Sequence, residues 1–97
     1  MRHEIILAPD AAQSYKELEA RLRAEVRDAM ETHLRHEPTK SSKSRIKRLK
    51  GLSRPQFRLR VGDIRIYYDV SERSVHVLGI VQKSKSEQWL KKAGEPQ

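Results

Sequence analysis

Not one acidic residue stands between Pro38 and Gly62, although the same stretch carries nine Lys or Arg residues: Lys40, Lys43, Arg45, Lys47, Arg48, Lys50, Arg54, Arg58 and Arg60. Cysteine is absent from all 97 residues, which excludes a disulfide scaffold, a zinc–thiolate cluster and a thiol nucleophile, and suits a reducing cytoplasm. Missing too is any apolar run near the roughly 20 residues a membrane span needs. The longest candidate, Ile5 to Ala8, is also too short for a signal peptide. No GxGxxG or P-loop pattern surrounds Gly51 or Gly62, which read as turn glycines, and no internal repeat is present. These absences leave a single domain over residues 1–97 with one modest core, cytoplasmic and without a membrane partner.

What is there is positive charge in one place. The chain carries +8 overall, but residues 1–37 carry −2, residues 38–61 carry +9 and residues 62–97 carry +1. Charge spread evenly serves solubility; charge gathered in one segment builds a local potential that recruits a polyanion. The expected partner is RNA, DNA or an acidic protein.

The coarse element order follows from periodicity. His3 to Ala8 reads as a strand, and Pro9-Asp10 as a helix start, with Asp10 and Gln13 at capping-box spacing. Tyr15, Leu18, Leu22, Val26, Met30 and Leu34 recur at helical steps to about His36. One straight helix of that length would be about 40 Å long, too long for a domain of this size. The spacing therefore predicts a bend near Ala20 to Arg23 and two antiparallel helices. Glu37-Pro38 ends the second helix, and a basic loop follows, with Ile46 and Leu49 pinning a short helical turn. Phe57 to Val61, Ile64 to Val70 and Val75 to Gln82 alternate as three antiparallel strands, and Trp89 and Leu90 mark a short docking helix between Ser86 and Ala93.

A two-residue turn at Gly62-Asp63 places Val61 opposite Ile64, Leu59 opposite Ile66 and Phe57 opposite Tyr68, an apolar face for the helices. The other face pairs Arg60 with Arg65 and Arg58 with Tyr67. Extending the register puts Leu78 beside Tyr67, Ile80 beside Arg65, and His76 opposite Asp69. Like charges directly opposite each other destabilise a sheet, so Arg60 against Arg65 needs a reason. Two readings stand. A phosphate shared by the guanidiniums would relieve the repulsion, with the aromatic stacking on a base. Alternatively, the arginines lie apart on a solvated face and keep a strand edge soluble. Elsewhere, Glu17, Glu19, Glu25 and Glu31 with interleaved Lys and Arg form a solvated helix face. His33 and His36 sit three apart without a placed third ligand, so no metal or other cofactor is expected.

The stretch Ile46-Lys-Arg-Leu-Lys-Gly-Leu52, then Phe57-Arg-Leu-Arg-Val-Gly-Asp-Ile-Arg-Ile-Tyr-Tyr-Asp-Val70, then Val75 to Val81, resembles the RelE/ParE superfamily of type II toxin–antitoxin toxins. The resemblance spans nearly the whole chain in element order and is sharpest over residues 46–82. It implies an α+β fold, with two N-terminal helices packed on a small, mainly antiparallel four-stranded sheet and a short C-terminal helix. In the RelE branch it implies ribosome-dependent cleavage of mRNA, in which the 2′-hydroxyl attacks the adjacent phosphate. Carried over by position, the catalytic set is Arg58, Arg60, Arg65, Lys83 and Trp89. RNA contacts fall to Lys47, Arg48, Lys50, Arg54, Tyr67 and Lys85, and antitoxin contacts to Leu78 and Ile80. Trp89 departs from the pattern: it aligns with a tyrosine used in proton transfer, and an indole offers no oxygen acid. Tyr67 and His76 are the candidate substitutes.

Three functions compete on this reading: a nuclease toxin, a ParE-like inhibitor of DNA gyrase, and a weakened toxin acting mainly as antitoxin partner and co-repressor. All three imply an acidic, partly disordered cognate antitoxin, with operator DNA reached only through that complex; the nuclease adds mRNA on the ribosome and ribosomal RNA.

Overall fold

Pro9 sets where the first helix begins, because its fixed φ and missing N–H suit the first helical position. In the computed structural model, which describes residues 2–97, strand β1 (Glu4–Leu7) runs into helix α1 (Pro9–Glu17). Ala8 is the N-cap and makes no side-chain bond, so the capping box expected of Asp10 and Gln13 does not form. Asp10 lies one step inside the helix, where its carboxylate still faces the positive end of the dipole.

The break between helices falls at Leu18 and Glu19, slightly earlier than expected, and α2 runs over Ala20–His33. Arg23 holds the break. Its Nη1 donates to the carbonyls of Lys16 and Leu18 at 3.1 and 3.0 Å, satisfying acceptors that the end of α1 would leave open. Among the described residues, no helix is long and apolar enough to cross a membrane.

Six further strands and one helix follow among the described residues: β2 (Ile46–Arg48), β3 (Leu52–Arg54), β4 (Phe57–Val61), β5 (Ile64–Val70), β6 (Ser74–Gln82), α3 (Lys83–Ala93) and β7 (Glu95–Pro96). The main sheet has the order β1-β6-β5-β4-β2, and β1 lies parallel to β6 while the other neighbours are antiparallel. The sheet is therefore five-stranded and mixed, where four mainly antiparallel strands were expected. The added strand is β2. Ile46 and its neighbours form no helical turn, because Ile46 pairs with Leu59 and reaches the core while Lys47, on the opposite face, stays in water. Without β2, the long β4 would present an unpaired edge; a three-residue strand carrying Lys and Arg covers it without inviting another chain. A separate two-stranded sheet pairs β3 with β7.

The β4–β5 register is the expected one, residue for residue, and Gly62 adopts φ +56°, the left-handed conformation that a two-residue hairpin requires. β6 starts in the expected register too, with His76 opposite Asp69. It then slips by one. A bulge leaves Leu78 without a partner, so Gly79 faces Tyr67, Ile80 faces Ile66 and Val81 faces Arg65. Ile80 therefore points into the core at 3% exposure, and the exposed site expected of it is not found. Leu78 is half-buried.

The core lies between this sheet and the helices, with Val26, Met30 and Leu34 of α2 packed in one cluster with Leu59, Ile66 and Tyr68. Tyr68 stacks on Phe57 at 5.5 Å, and its hydroxyl donates to the Pro38 carbonyl at 2.7 Å, tying the end of the helical layer to the sheet. Burial pushes the Tyr68 phenol well above its ordinary value. The contribution of this bond is thus intact below about pH 10, where an unfolded tyrosine ionises, and is lost as pH rises through the folded value. Tyr68→Phe is expected to cost about 1–3 kcal/mol, since Pro38 keeps a buried acceptor with no donor. Urea denaturation measures this, and an unchanged midpoint would show that the bond contributes nothing.

Candidate nucleic-acid interface

The face of the sheet turned away from α1 and α2 is built in cross-strand rows. One row runs Lys47, Arg58, Tyr67, Gly79 across β2, β4, β5 and β6; the next runs Arg60, Arg65, Val81. Alternation along β4 and β5 puts these residues together because Leu59 and Ile66, one step away, face the core. α3 lies across this face and holds no fully buried residue of its own.

Trp89 seats that helix. Its indole stacks on the Tyr67 ring at 4.9 Å between centroids and 13° between planes. Beneath it, Gly79 is indispensable: a Cβ there would stand 2.5 Å from the indole Cε2, well inside contact distance. Sequence reasoning missed Gly79, although a glycine in mid-strand signals a bulge or a close approach, and here it marks both. The ends of α3 are held separately. Lys83 N–H donates to the Asp63 carbonyl at 2.6 Å, Gln97 N–H donates to the Gly51 carbonyl at 3.3 Å, and Ser53 Oγ donates to the carbonyl of Glu95 at 3.1 Å.

The arginines differ in what holds them. Arg65 is 6% exposed, and its Nη1 donates to the carbonyls of Gly62 at 2.7 Å and Ile64 at 3.1 Å. Desolvation, and then the nearby positive charges of Arg58 and Arg60, lower its pKa from the ordinary value. The turn carbonyls thus stabilise the like-charge pair that the sequence left unexplained. Arg58 is half-buried and its Nε has no partner, while Arg60 is exposed. Arg60 therefore offers the open donors, Arg58 lies half-buried beside it with its Nε shut away from water, and Arg65 adds potential from below.

The remaining predicted residues divide. Lys47 joins the Arg58 row and is exposed. Lys83 and Lys85 project into water from the first turn of α3, and Lys50 is exposed beside Gly51. Arg48 does not join them: it pairs with Phe57, and its guanidinium lies 5.1 Å from the Phe57 ring centroid, on the core side of the sheet edge. Arg54 is committed within the protein, its Nε donating to Asp69 Oδ2 at 2.8 Å and its Nη1 lying 3.9 Å from Glu95. Asp69 Oδ1 accepts in turn from Gln56 N–H at 2.8 Å. Tyr67, at 3% exposure, is covered, so Trp89 is the aromatic that this face presents. His76 lies half-buried on the same face beyond Gly79.

Such a surface can grip a phosphate with forked, permanently charged donors and can stack a base on an indole. Neither row contains a carboxylate or an imidazole. The next row along the same face pairs Asp69 with His76.

The fold has known counterparts. A chain of the archaeal RelE–RelB complex from Pyrococcus horikoshii matches with a TM-score of 0.71 at 18% identity, covering 88% of this chain and 99% of that one. A chain of the toxin–antitoxin complex RelBE2 from Mycobacterium tuberculosis matches at 0.68 and 20% identity over 84% and 99%. The YoeB dimer from Staphylococcus aureus gives 0.62 at 16% identity over 81% and 94%. No family model matches the chain, and no curated protein does.

Proposed function

We propose, starting from the RelE-like fold this chain adopts, that it is the toxin of a type II toxin–antitoxin pair and cleaves mRNA on the ribosome. The observation that carries the reading is the grouping of Arg58, Arg60 and Arg65 on one sheet face with Trp89 as its aromatic platform. In the proposed reaction the 2′-hydroxyl of one nucleotide attacks the adjacent phosphorus, and the bond to the following 5′ oxygen breaks. Arg60 and Arg58 fork onto the non-bridging oxygens as negative charge builds, and Arg65 strengthens the local field. Lys47 and Lys83 flank the message, and Trp89 stacks on one of its bases. A well-placed donor of this kind is worth about 100- to 1,000-fold in rate.

Proton transfer is the weak point of the face, because the indole of Trp89 has no oxygen to lend. A nuclease built this way depends on being handed a substrate already bent for in-line attack, since orientation alone can replace much of the missing acid–base assistance. Dependence on the ribosome follows from that need. The acidic antitoxin follows from the charge: a segment of +9 attracts a partner whose association rate falls as salt rises.

One observation favours a second reading, in which the chain acts mainly as antitoxin partner and co-repressor. Tyr67, a phenol on this face, is sealed beneath the indole at 3% exposure. Primer extension on a defined mRNA in a reconstituted translation reaction separates the two. Cleavage by the wild type, enhanced about tenfold or more in Trp89→Tyr by general acid–base assistance, is the expected result. Intact message with both proteins would leave the co-repressor role, or gyrase, as the target.

A further inference from the structure

The row that runs Arg60, Arg65, Val81 does not end at β4. Arg60 N–H donates to the Arg45 carbonyl at 2.9 Å, which continues the β2–β4 register one step beyond the pair of Ile46 and Leu59. Arg45 therefore stands opposite Arg60, on the same face as Lys47 and Arg58, and it is exposed. Neighbouring strands lie about 4.8 Å apart, so Arg65, Arg60 and Arg45 span about 10 Å across β5, β4 and the start of β2. That is the length of about three stacked nucleotides at roughly 3.4 Å each.

Beyond Arg45 the surface turns the corner of the sheet. A cavity of about 250 Å³ opens between the end of α2 and the segment that leads into β2, and His33, Lys40, Ser41, Ser42 and Arg45 supply its donors. Ser42 Oγ accepts from the N–H groups of Arg45 and Ile46 at 3.1 and 3.2 Å, bonds that fix the turn carrying Arg45 and leave the hydroxyl proton free to donate. Burial, and then the charge of Arg45, lower the pKa of His33 from its ordinary value, so at neutral pH the imidazole is uncharged and keeps one N–H to give. Glu37 is the one acid in the lining, and Lys40 lies 3.5 Å from its carboxylate. Lys40 and Arg45 together outweigh it, and Lys43 stands between them in the chain. The volume falls below the roughly 300 to 1,000 Å³ of pockets that enclose a whole small molecule, so the guest is a compact anionic group.

We propose that this cavity is a second phosphate site, which holds the RNA backbone where it leaves the arginine face over the edge of β2; the proposal rests on the RNA-cleaving reading above. The message then runs across the strands, from Arg65 and Arg60 to Arg45 and down to Lys40, Ser42 and His33. A grip outside the reacting nucleotides fixes the direction of the strand, and that is the orientation in-line attack requires. The site also accounts for the basic block beginning at Lys40, before the first residue of β2 and away from the face where the chemistry is placed.

Fluorescence anisotropy with two labelled single-stranded RNAs tests this: a trinucleotide, which fills only the arginine row, and a strand of about ten nucleotides, which reaches the cavity. Salt is held at about 0.15 M, where exposed charges more than about 8 Å apart are largely screened. Lys40→Glu and Ser41→Glu, two changes on an exposed loop, should each weaken the longer strand about tenfold while shifting the trinucleotide less than about twofold. Glu37→Gln should act with the opposite sign and tighten the longer strand. Arg45→Ala should flatten the dependence of log affinity on log salt by about 0.7 for the longer strand, the share of one phosphate contact. In the wild type, the His33 ring resonances should move when the longer strand binds and stay in place with the trinucleotide. Wild-type affinity for the longer strand in both acidic variants overturns the proposal, and so do equal losses for the two RNAs, which would make the loop a diffuse field rather than a site. His33 resonances unmoved at saturation with the longer strand overturn it as well. Message left intact on ribosomes, with the length-dependent losses still present, would defeat the nuclease reading while supporting the phosphate site.

Discussion

Arg60→Ala is expected to lower mRNA cleavage about 100- to 1,000-fold without moving the thermal midpoint, whereas Arg65→Ala lowers both. The two residues face each other across β4 and β5, and sequence alone gives them one role. Their surroundings give them two. Arg60 is exposed and no protein acceptor holds its side chain, so removing it deletes a phosphate donor and nothing that the fold requires. Arg65 donates to two turn carbonyls from a site 6% exposed, so its loss leaves Gly62 and Ile64 with acceptors short of a partner and weakens the hairpin itself. Arg65→Lys sharpens the test: it keeps the charge but replaces the planar guanidinium, which holds Nη1 against both carbonyls, with an ammonium on a flexible stem, and should recover less than half of the lost stability. Cleavage rates from primer extension and midpoints from thermal denaturation measure the pair. Should Arg60→Ala cleave at the wild-type rate, the guanidinium face is not where the phosphate sits.

The division between those arginines also shows what the sequence could and could not disclose. The β4–β5 register was legible because it depends on local chemistry: a glycine at the turn and alternation on both sides of it. Arg58, Arg60 and Arg65 were placed on one face for the same reason. The β6 register failed at a single residue, Leu78, since a bulge leaves the composition of a strand untouched while it swaps every side chain beyond it to the other face. That slip moved Ile80 from the expected docking surface into the core. Arg54 and Arg48 show a second limit of the sequence. Charge counting treats all lysines and arginines alike, but Arg54 is claimed by Asp69 and Glu95, and Arg48 by the Phe57 ring, through contacts that no local pattern encodes. Tyr67 was expected to meet RNA and is instead covered, because the helix that covers it docks from the far end of the chain.

Basic residues within the protein therefore fall into two groups with different salt behaviour. Lys47, Arg60 and Lys83 face water and lose much of their attraction for a polyanion as ionic strength rises. Arg65 sits in a partly dry setting among backbone dipoles, where screening is weak. Under the proposed function, the outer charges would gather RNA or an acidic chain and the inner ones would orient it.

Gly79→Ala is expected to unseat α3. The added Cβ would stand 2.5 Å from the indole Cε2, and the ring cannot swing aside while it remains stacked on Tyr67, so the helix must move as a body. Little else resists that motion: α3 has no buried side chain, and its ends are held by a few backbone bonds and the short β3–β7 pair. Overpacking of this kind costs about 1–3 kcal/mol, and amides of α3 should exchange faster than those of β4 and β5. Trp89 is the only tryptophan in the chain, so a red shift of its emission reports the displacement directly. The double variant Gly79→Ala/Trp89→Ala removes the collision along with the indole, and its destabilisation should fall short of the sum of the single changes. Additive costs, or an unshifted emission in Gly79→Ala, would mean that the indole does not rest on this strand. Cleavage should fall in Gly79→Ala even where the fold survives, because the aromatic platform has left the arginine face while every arginine remains in place.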